Sequence, residues 1–361
     1  MDHITKLLTV AIPTYNRSSS LRAMLDLLTE DIREFKNDVE IIISDNCSTD
    51  NTSQVIENWL SRQSCDISVT VIKQIKNIGV SKNIVSLIYN ASADYFMFLG
   101  DDDRIDRRNF PDILDILRNH RPSAVIQGVW GGKLRSSSVG RINFNEAASL
   151  FYEYGNAWAG LVDRDAAIAA IESRALRDQI EKIVWPQTVF GYLAMLDLSS
   201  TRPIFVVNFE MGRPMGDALN ITNKAYWMRS LADLLAAASI VQRYTRNTNL
   251  SKRFISFKSK GFTSHIKSIF WYSLVDSDQS SLQPIAQTLS SQFGWRGWIW
   301  SKILLLDRHP RALEFFSKII FHLFWSKGGE SLKSRMAEER NLRKIEISTK
   351  SASGKRFGDW F

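Results

Sequence analysis

Three adjacent carboxylates, Asp101, Asp102 and Asp103, follow directly on the apolar run Tyr95-Phe96-Met97-Phe98-Leu99-Gly100. Clustered aspartate oxygens suit a hard divalent cation, Mg²⁺ or Mn²⁺, and through it a phosphate or diphosphate. Taken alone, the three residues also describe an acid-rich surface turn. The run before them decides where they sit. Its length and aromatic content read as a strand covered on both faces by helices. Isolated charge is costly to bury. The triplet must therefore emerge at the strand's carboxyl end, where open α/β sheets bind their ligands.

Three more strand patterns precede this one, each followed by a polar cluster. Leu7 to Ile12 stops at Pro13-Thr14-Tyr15-Asn16-Arg17, because proline cannot continue a central ladder. Val39 to Ser44 leads into Asp45-Asn46-Cys47-Ser48-Thr49-Asp50, and Ser68 to Ile72 precedes Asn77-Ile78-Gly79. Helices lie between them; the first carries Leu21, Met24, Leu25, Leu28 and Ile32 at helical spacing. Strand–helix alternation predicts a parallel sheet with right-handed crossovers. The four polar clusters would then share one sheet edge, which is an argument for a site rather than for four separate loops.

In this order the motifs Ala11–Arg17, Ile43–Asp50, Asn77–Gly79 and Phe98–Asp103 resemble the nucleotide-sugar-binding half of family-two inverting glycosyltransferases. Within that family the chain is most similar to the sugar transferases of bacterial O-antigen and capsule assembly, abequosyltransferases among them. The resemblance covers about the first 110 residues. It implies a GT-A type, mostly parallel sheet flanked by helices, followed by a C-terminal helical domain. It also implies roles by position. Pro13, Thr14, Tyr15 and Asn16 would line the nucleoside pocket, with Asp45 and Asn77 at the base and Lys82 at a phosphate. Asp101 belongs to the same nucleotide set, and Asp101, Asp102 and Asp103 are all candidate cation ligands. The family more often has an acidic residue where Gly100 stands, so which carboxylates meet metal stays open.

Inverting transfer needs a base to take the proton from the attacking hydroxyl. The family usually supplies it from a Glu-Asp pair, and this chain has none at the expected place. Pro186 or Gln187 stands there instead, at the start of a helix. Asp178 and Glu181 are the base candidates, with a plain helix-surface role as the alternative. Trp185 and Gln187 are candidate acceptor contacts. Arg213 to Asp217 reads as a loop returning toward the site, and Asp217 is a further metal or base candidate. Residues 131–138 read as a hairpin in preference to a lid.

The 361 residues are 44% hydrophobic and 23% charged, which marks a folded chain rather than a disordered one. The sequence divides into residues 1–220 as the catalytic domain, 221–347 as a basic aromatic-rich helical domain, and 348–361 as a mobile tail. The net charge of +8 is unevenly spread: residues 221–361 hold 23 Lys and Arg against 10 Asp and Glu. Seven of the 11 Trp lie in the same part, amid aliphatic runs. Such faces suit an anionic bilayer surface, as a polyprenyl-diphosphate-linked saccharide acceptor would require. A helical bundle or homo-oligomer contact is the alternative. No nucleic-acid recognition motif accompanies the charge, so no nucleic acid is expected as a partner. Cys47 and Cys65 form no disulfide framework, and no secretory leader or membrane span is evident. The expected place is cytoplasmic, peripheral on the inner face of the cell membrane. A competing function is a metal-dependent nucleotidyltransferase of sugar metabolism, which ordinarily has a glycine-rich triphosphate loop after its first strand. Pro13 to Arg17 contains no glycine.

Overall fold

Apolar residues on both faces make β1 (Leu8–Thr14), β2 (Val39–Asp45) and β4 (Tyr95–Phe98) the inner strands of a sheet, and every residue of β2 and β4 is buried. In β3 (Ser68–Lys73) the side chains are only partly covered, and this strand forms the sheet's edge. The structure is a computed structural model. It describes residues 6–62, 67–130, 133–134, 139–144, 146–147, 160–183, 186–215, 231–232, 235–236, 238–240, 242–244, 266, 268–269, 283–292, 294–305 and 315. The chain divides into two compact units, Met1–Leu219 and Asn220–Phe361.

In the first unit β1 pairs in parallel with β2 and β4, and β2 with β3. The crossovers are α1 (Ser18–Ile32), α2 (Thr52–Arg62) and α3 (Val80–Asn90). Beyond β4 the sheet becomes mixed. β10 (Gly160–Asp163) runs antiparallel between β4 and β6 (Ala124–Gln127). β11 (Ile204–Val207) lies parallel to β6, and β9 (Gly140–Ile142) closes the order antiparallel to β11. The eight-stranded sheet is thus mostly parallel, as the alternation predicts. A separate two-stranded ribbon, β7 (Val129–Trp130) and β8 (Lys133–Leu134), pairs Val129 with Leu134 and Trp130 with Lys133; residues 131–132 and 135–138 of the expected hairpin lie outside the described residues.

One expected boundary differs. β1 continues through Pro13 instead of stopping before it. The Ala11 carbonyl accepts from Leu99 N on the β4 side, and the Thr14 carbonyl accepts from Asn46 N on the β2 side. Backbone groups alternate sides along a strand, so the Pro13 nitrogen faces β4. There β4 has already turned away, and no ladder bond is lost.

Two charge contacts brace this unit. Asp31, buried at the end of α1, accepts from Arg104 Nε and Nη2, each at 2.9 Å. Arg104 lies in β5 (Asp103–Ile105), directly after the acidic triplet. At the amino edge, buried Glu40 accepts from Thr9 Oγ1 (2.5 Å), Ser92 N (2.7 Å), Ser92 Oγ (2.5 Å) and Ala93 N (3.1 Å). That one carboxylate ties β1, β2 and the loop entering β4 together.

Later helices complete the layers. α4 (Phe110–His120) buries Phe110, Ile113, Leu114 and Leu117. α5 (Arg164–Ser173) begins under an Asp163 cap that accepts from Ala166 N at 2.8 Å. A short α6 (Arg177–Ile180) leads to α7 (Pro186–Leu198). Proline in the first turn of α7 is sterically suited to that place. Residues 186–195 are all buried.

In the second unit, the helices Gln283–Gln292 and Gly294–Leu305 pack on one another. Leu289, Trp300 and Leu304 are buried, whereas Trp298 is 55% exposed with the Lys302 ammonium 5.5 Å from its ring centre. Among the described residues no helix is long and apolar enough to cross a membrane. Most of residues 221–347 and all of 348–361 lie outside the described residues.

Candidate functional site

The ends of β1, β2 and β4 converge with the loop after β3 at one sheet edge. At the end of β1, Thr14 Oγ1 donates to Asp101 Oδ2 at 2.7 Å, across 87 residues of sequence. Three residues on, Arg17 Nη2 lies 2.8 Å from Asp102 Oδ2, and Arg17 Nε lies 3.5 Å from Asp101 Oδ1. The Pro13–Arg17 turn and the acidic triplet therefore face each other directly.

The same turn grips the loop after β2. Asn16 has a φ of 53°, in the left-handed region that asparagine tolerates better than most side chains. Its N–H donates to Ser48 Oγ (2.9 Å), and its Oδ1 accepts from Thr49 N (2.7 Å) and Asp50 N (3.3 Å). Asp45 is buried; its Oδ1 accepts from Ser48 N (2.9 Å) and its Oδ2 from Ser53 Oγ (2.6 Å). Each oxygen retains a lone pair for a ligand. Asn46 carries the connection onward, donating from Nδ2 to Asn77 Oδ1 (2.8 Å) and accepting from Ile78 N (2.9 Å). Gly79 follows at a φ of 84° and starts α3, whose first turn presents Lys82 to solvent.

All four clusters expected from the sequence meet here. Pro13, Thr14, Tyr15, Asn16, Asp45, Asn77 and Lys82 stand along this edge with Asp101, Asp102 and Asp103. Asn16 serves visibly as a loop clamp, and Thr14 is engaged with Asp101. Asn46 was not singled out by sequence reasoning; its signal was its place between two motifs that were.

The triplet is tightly folded. A Cβ built on Gly100 would meet Asp103 Oδ2 at 2.4 Å. A side chain at position 100 would require the Asp103 carboxylate to move from this pose. Asp103 opens β5, which pairs antiparallel with β12 (Gly212–Pro214) so that Pro214 lies opposite Asp103. Met215 N donates to the Asp102 carbonyl at 2.9 Å. Residues 212–215 thus return to the triplet as the sequence suggested, while Asp217 lies outside the described residues. Gln127, at the end of β6, steers the returning chain by accepting from Met211 N at 2.6 Å.

Burial, with the neighbouring Asp102 charge, pushes the Asp101 carboxyl up to about 6 against the opposing pull of Arg17. Burial and the neighbouring Asp102 push Asp103 up to about 7. Arg17 offsets this cluster's negative charge only in part, and a divalent cation would supply more. Among the described residues no group of three or more His, Cys, Asp or Glu forms a complete metal cage. A cation held here by one or two aspartates would take its remaining ligands from phosphate and water, as Mg²⁺ habitually does. The donor set fits Mg²⁺ or Mn²⁺ on those terms.

The structure does not bring Asp178 and Glu181 to this edge. Glu181 accepts from Arg177 Nε at 3.0 Å, and the Arg177 guanidinium lies 4.6 Å from the Tyr89 ring centre. Tyr89 is near the far end of α3, nine residues from the turn at Val80, or about 13 Å along the helix. Asp178 is exposed on the same short α6. Their sequence spacing from Pro186 gave no hint that the chain folds down to the opposite edge first. Trp185 lies outside the described residues. Gln187 is buried in the first turn of α7, and among the described residues neither its Oε1 nor its Nε2 has a hydrogen-bond partner.

Residues 9–176 match the model of the family described as Glycosyl transferase family 2. Abequosyltransferase RfbV of Salmonella typhimurium is 32% identical over 117 residues, 32% of this chain and 33% of the relative. The poly(ribitol-phosphate) beta-N-acetylglucosaminyltransferase TarS of Staphylococcus aureus is 24% identical over 118 residues, 32% of this chain and 20% of the relative. The matched stretch thus spans a third or less of these curated relatives. Among solved structures, S. aureus TarS 1-349 superposes with a TM-score of 0.60 at 14% identity, covering 90% of this chain and 93% of that one. The same fragment in complex with UDP-GlcNAc gives a TM-score of 0.56, with the same identity and coverage. The mannosyltransferase PcManGT from Pyrobaculum calidifontis, in complex with GDP-Man and Mn²⁺, gives 0.51 at 12% identity, covering 89% and 88%. These likenesses establish the GT-A fold.

Proposed function

We propose that this chain, which carries a glycosyltransferase family 2 domain over residues 9–176, moves a sugar with inversion from a nucleotide-diphosphate donor to a saccharide acceptor in bacterial surface polysaccharide synthesis. The observation that carries this reading is the joining of the Pro13–Arg17 turn to the acidic triplet through Thr14–Asp101 and Arg17–Asp102. On this reading Asp45 and Asn77 would meet the base, Tyr15 would lie against it, and Lys82 would approach a phosphate. The bound UDP-GlcNAc of the TarS fragment and the bound GDP-Man of PcManGT support a nucleotide-sugar donor.

Charge grows on the diphosphate as the sugar leaves. Asp101, Asp102 or Asp103 would hold Mg²⁺ or Mn²⁺, which would supply positive charge at that point. The chain's own part is to hold the carboxylates in place. Thr14 holds Asp101, the Gly100 carbonyl accepts from Asp103 N at 3.2 Å, and the Asp31–Arg104 pair braces β5. As an acceptor contact the Gln187 amide would hold a hydroxyl, but an amide cannot take its proton. We assign no base to Asp178 or Glu181.

The acceptor is proposed to be polyprenyl-diphosphate-linked, with the enzyme peripheral on the inner face of the cell membrane. Exposed Trp298 beside Lys302 and the positive balance of residues 221–361 support that placement. The decisive assay incubates purified chain with a panel of nucleotide sugars, with and without EDTA. Expected is hydrolysis or transfer of one donor, abolished by chelation and restored by Mn²⁺. Absence of turnover and of nucleotide binding across the panel overturns the reading.

A further inference from the structure

We propose that Arg17 is a cation placeholder. Its guanidinium neutralises Asp101 and Asp102 while no divalent cation is bound, then turns onto the donor's diphosphate when cation and nucleotide arrive together. The inference rests on the glycosyltransferase reading and assigns a residue to its cation-loading step.

The geometry gives Arg17 a fixed base and a movable head. Its N–H donates to Thr52 Oγ1 at 3.0 Å, and its carbonyl accepts from Leu21 N at 2.9 Å as α1 begins. The backbone is thereby held between two helix starts. The head reaches Asp102 at 2.8 Å and Asp101 at 3.5 Å. The side chains of Arg17 and Asp102 are each 31% exposed, so their pair is screened and costs little to open. Asp101 is different, buried with its second oxygen held by Thr14. Arg17 therefore covers the one Asp101 oxygen that Thr14 leaves open, together with Asp102 Oδ2. Those are oxygens a cation would claim.

Two consequences follow from charge. A divalent cation arriving alone must compete with a guanidinium already seated on its ligands. A cation arriving with a diphosphate meets no such penalty, because the forked guanidinium gains two phosphate oxygens as it leaves. Arg17 thus makes cation binding weak alone and strong in company. By linkage the nucleotide is bound more tightly with the cation by the same factor.

The test is Mn²⁺ titration of the full chain by electron paramagnetic resonance, alone and with saturating UDP or GDP, whichever the wild-type chain binds. For Arg17→Gln the expected result is Mn²⁺ binding alone on the order of 5-fold tighter than wild type, as one competing charge is lost. The gain in Mn²⁺ affinity conferred by the nucleotide should shrink by about 10-fold. Arg17→Lys keeps the charge without the fork; it should bind Mn²⁺ alone as wild type does and still lose most of the nucleotide's gain. Tighter binding alone with a reduced gain supports the placeholder. Mn²⁺ binding by Arg17→Gln that is unchanged or weaker, at an unchanged melting temperature, overturns it. If Arg17→Gln does not fold, an undiminished gain in Arg17→Lys overturns it. Wild-type chain that binds neither Mn²⁺ nor nucleotide removes the glycosyltransferase reading itself, and the placeholder with it.

Discussion

Buried carboxylates stand at both edges of the sheet, Glu40 at the start of β2 and Asp101 and Asp103 just beyond the end of β4, and the two sets are treated in opposite ways. At the amino edge Glu40 receives four hydrogen bonds. Burial pushes its carboxyl up, but the bonds from Ser92, Thr9 and Ala93 outweigh that and hold it below the usual glutamate range. At the carboxyl edge Asp101 and Asp103 are also buried, and their carboxyls are pushed up to about 6 and about 7. The protein satisfies the first carboxylate from its own backbone and hydroxyls. It leaves the second set short of positive charge. A buried acid that the fold satisfies is a structural fastener, whereas acids left under-compensated at a strand end are a place for a ligand.

The contrast breaks most sharply under mutation. Asp103→Asn should lower transfer by at least about 10²-fold while leaving the melting temperature unchanged or raising it, because a repulsive neighbour of Asp102 is removed. Glu40→Gln should do the reverse. Loss of charge-assisted bonds costs about 2–3 kcal/mol of stability, while the kcat of the folded fraction stays at the wild-type value. Thermal melts and initial rates on the same preparations check both. An Asp103→Asn chain that unfolds, or a Glu40→Gln chain that is stable but inactive, would erase the distinction.

Gly100→Ala tests the folding of the triplet itself. The added Cβ must displace the Asp103 carboxylate from a 2.4 Å approach. Mn²⁺ affinity should fall by about 10-fold, since a misplaced ligand forfeits roughly one coordination bond's advantage, with little change in melting temperature.

The smallest effect is on pH. Folded-state values of about 6 and 7 lie above those of an exposed aspartate. The folded chain therefore binds more protons than the unfolded one between about pH 4 and 7, and its metal-free stability falls as pH rises through that window. Mn²⁺ should reverse the trend, because cation binding requires the deprotonated carboxylates and weakens as pH falls from 8 to 6. Glu40 contributes with the opposite sign. Its pKa is lowered on folding, so its contribution is present at neutral pH and lost as pH drops below the glutamate range. Melting curves at several pH values, with and without Mn²⁺, separate the two edges.

Much of the first unit was written in the sequence at the level of pattern. Apolar runs closed by polar clusters specified four parallel strands and predicted that Thr14, Asp45, Asn77 and Asp101 to Asp103 would share an edge, because helix-covered strands leave charge nowhere else to go. Helical periodicity in α1 named its buried face residue by residue, except for Asp31. That residue is polar by type and buried only because Arg104, 73 positions away, comes to meet it.

What tertiary structure alone decided were pairings between groups far apart in the chain. The antiparallel entry of β10 between β4 and β6, the passage of Pro13 beside a strand that had already ended, and the descent of Asp178 and Glu181 to the opposite edge all depend on neighbours that no local pattern names. Local periodicity records which side of an element avoids water. It carries no record of which distant carboxylate receives four donors and which receives too few, and that difference separates Glu40 from Asp101 and Asp103.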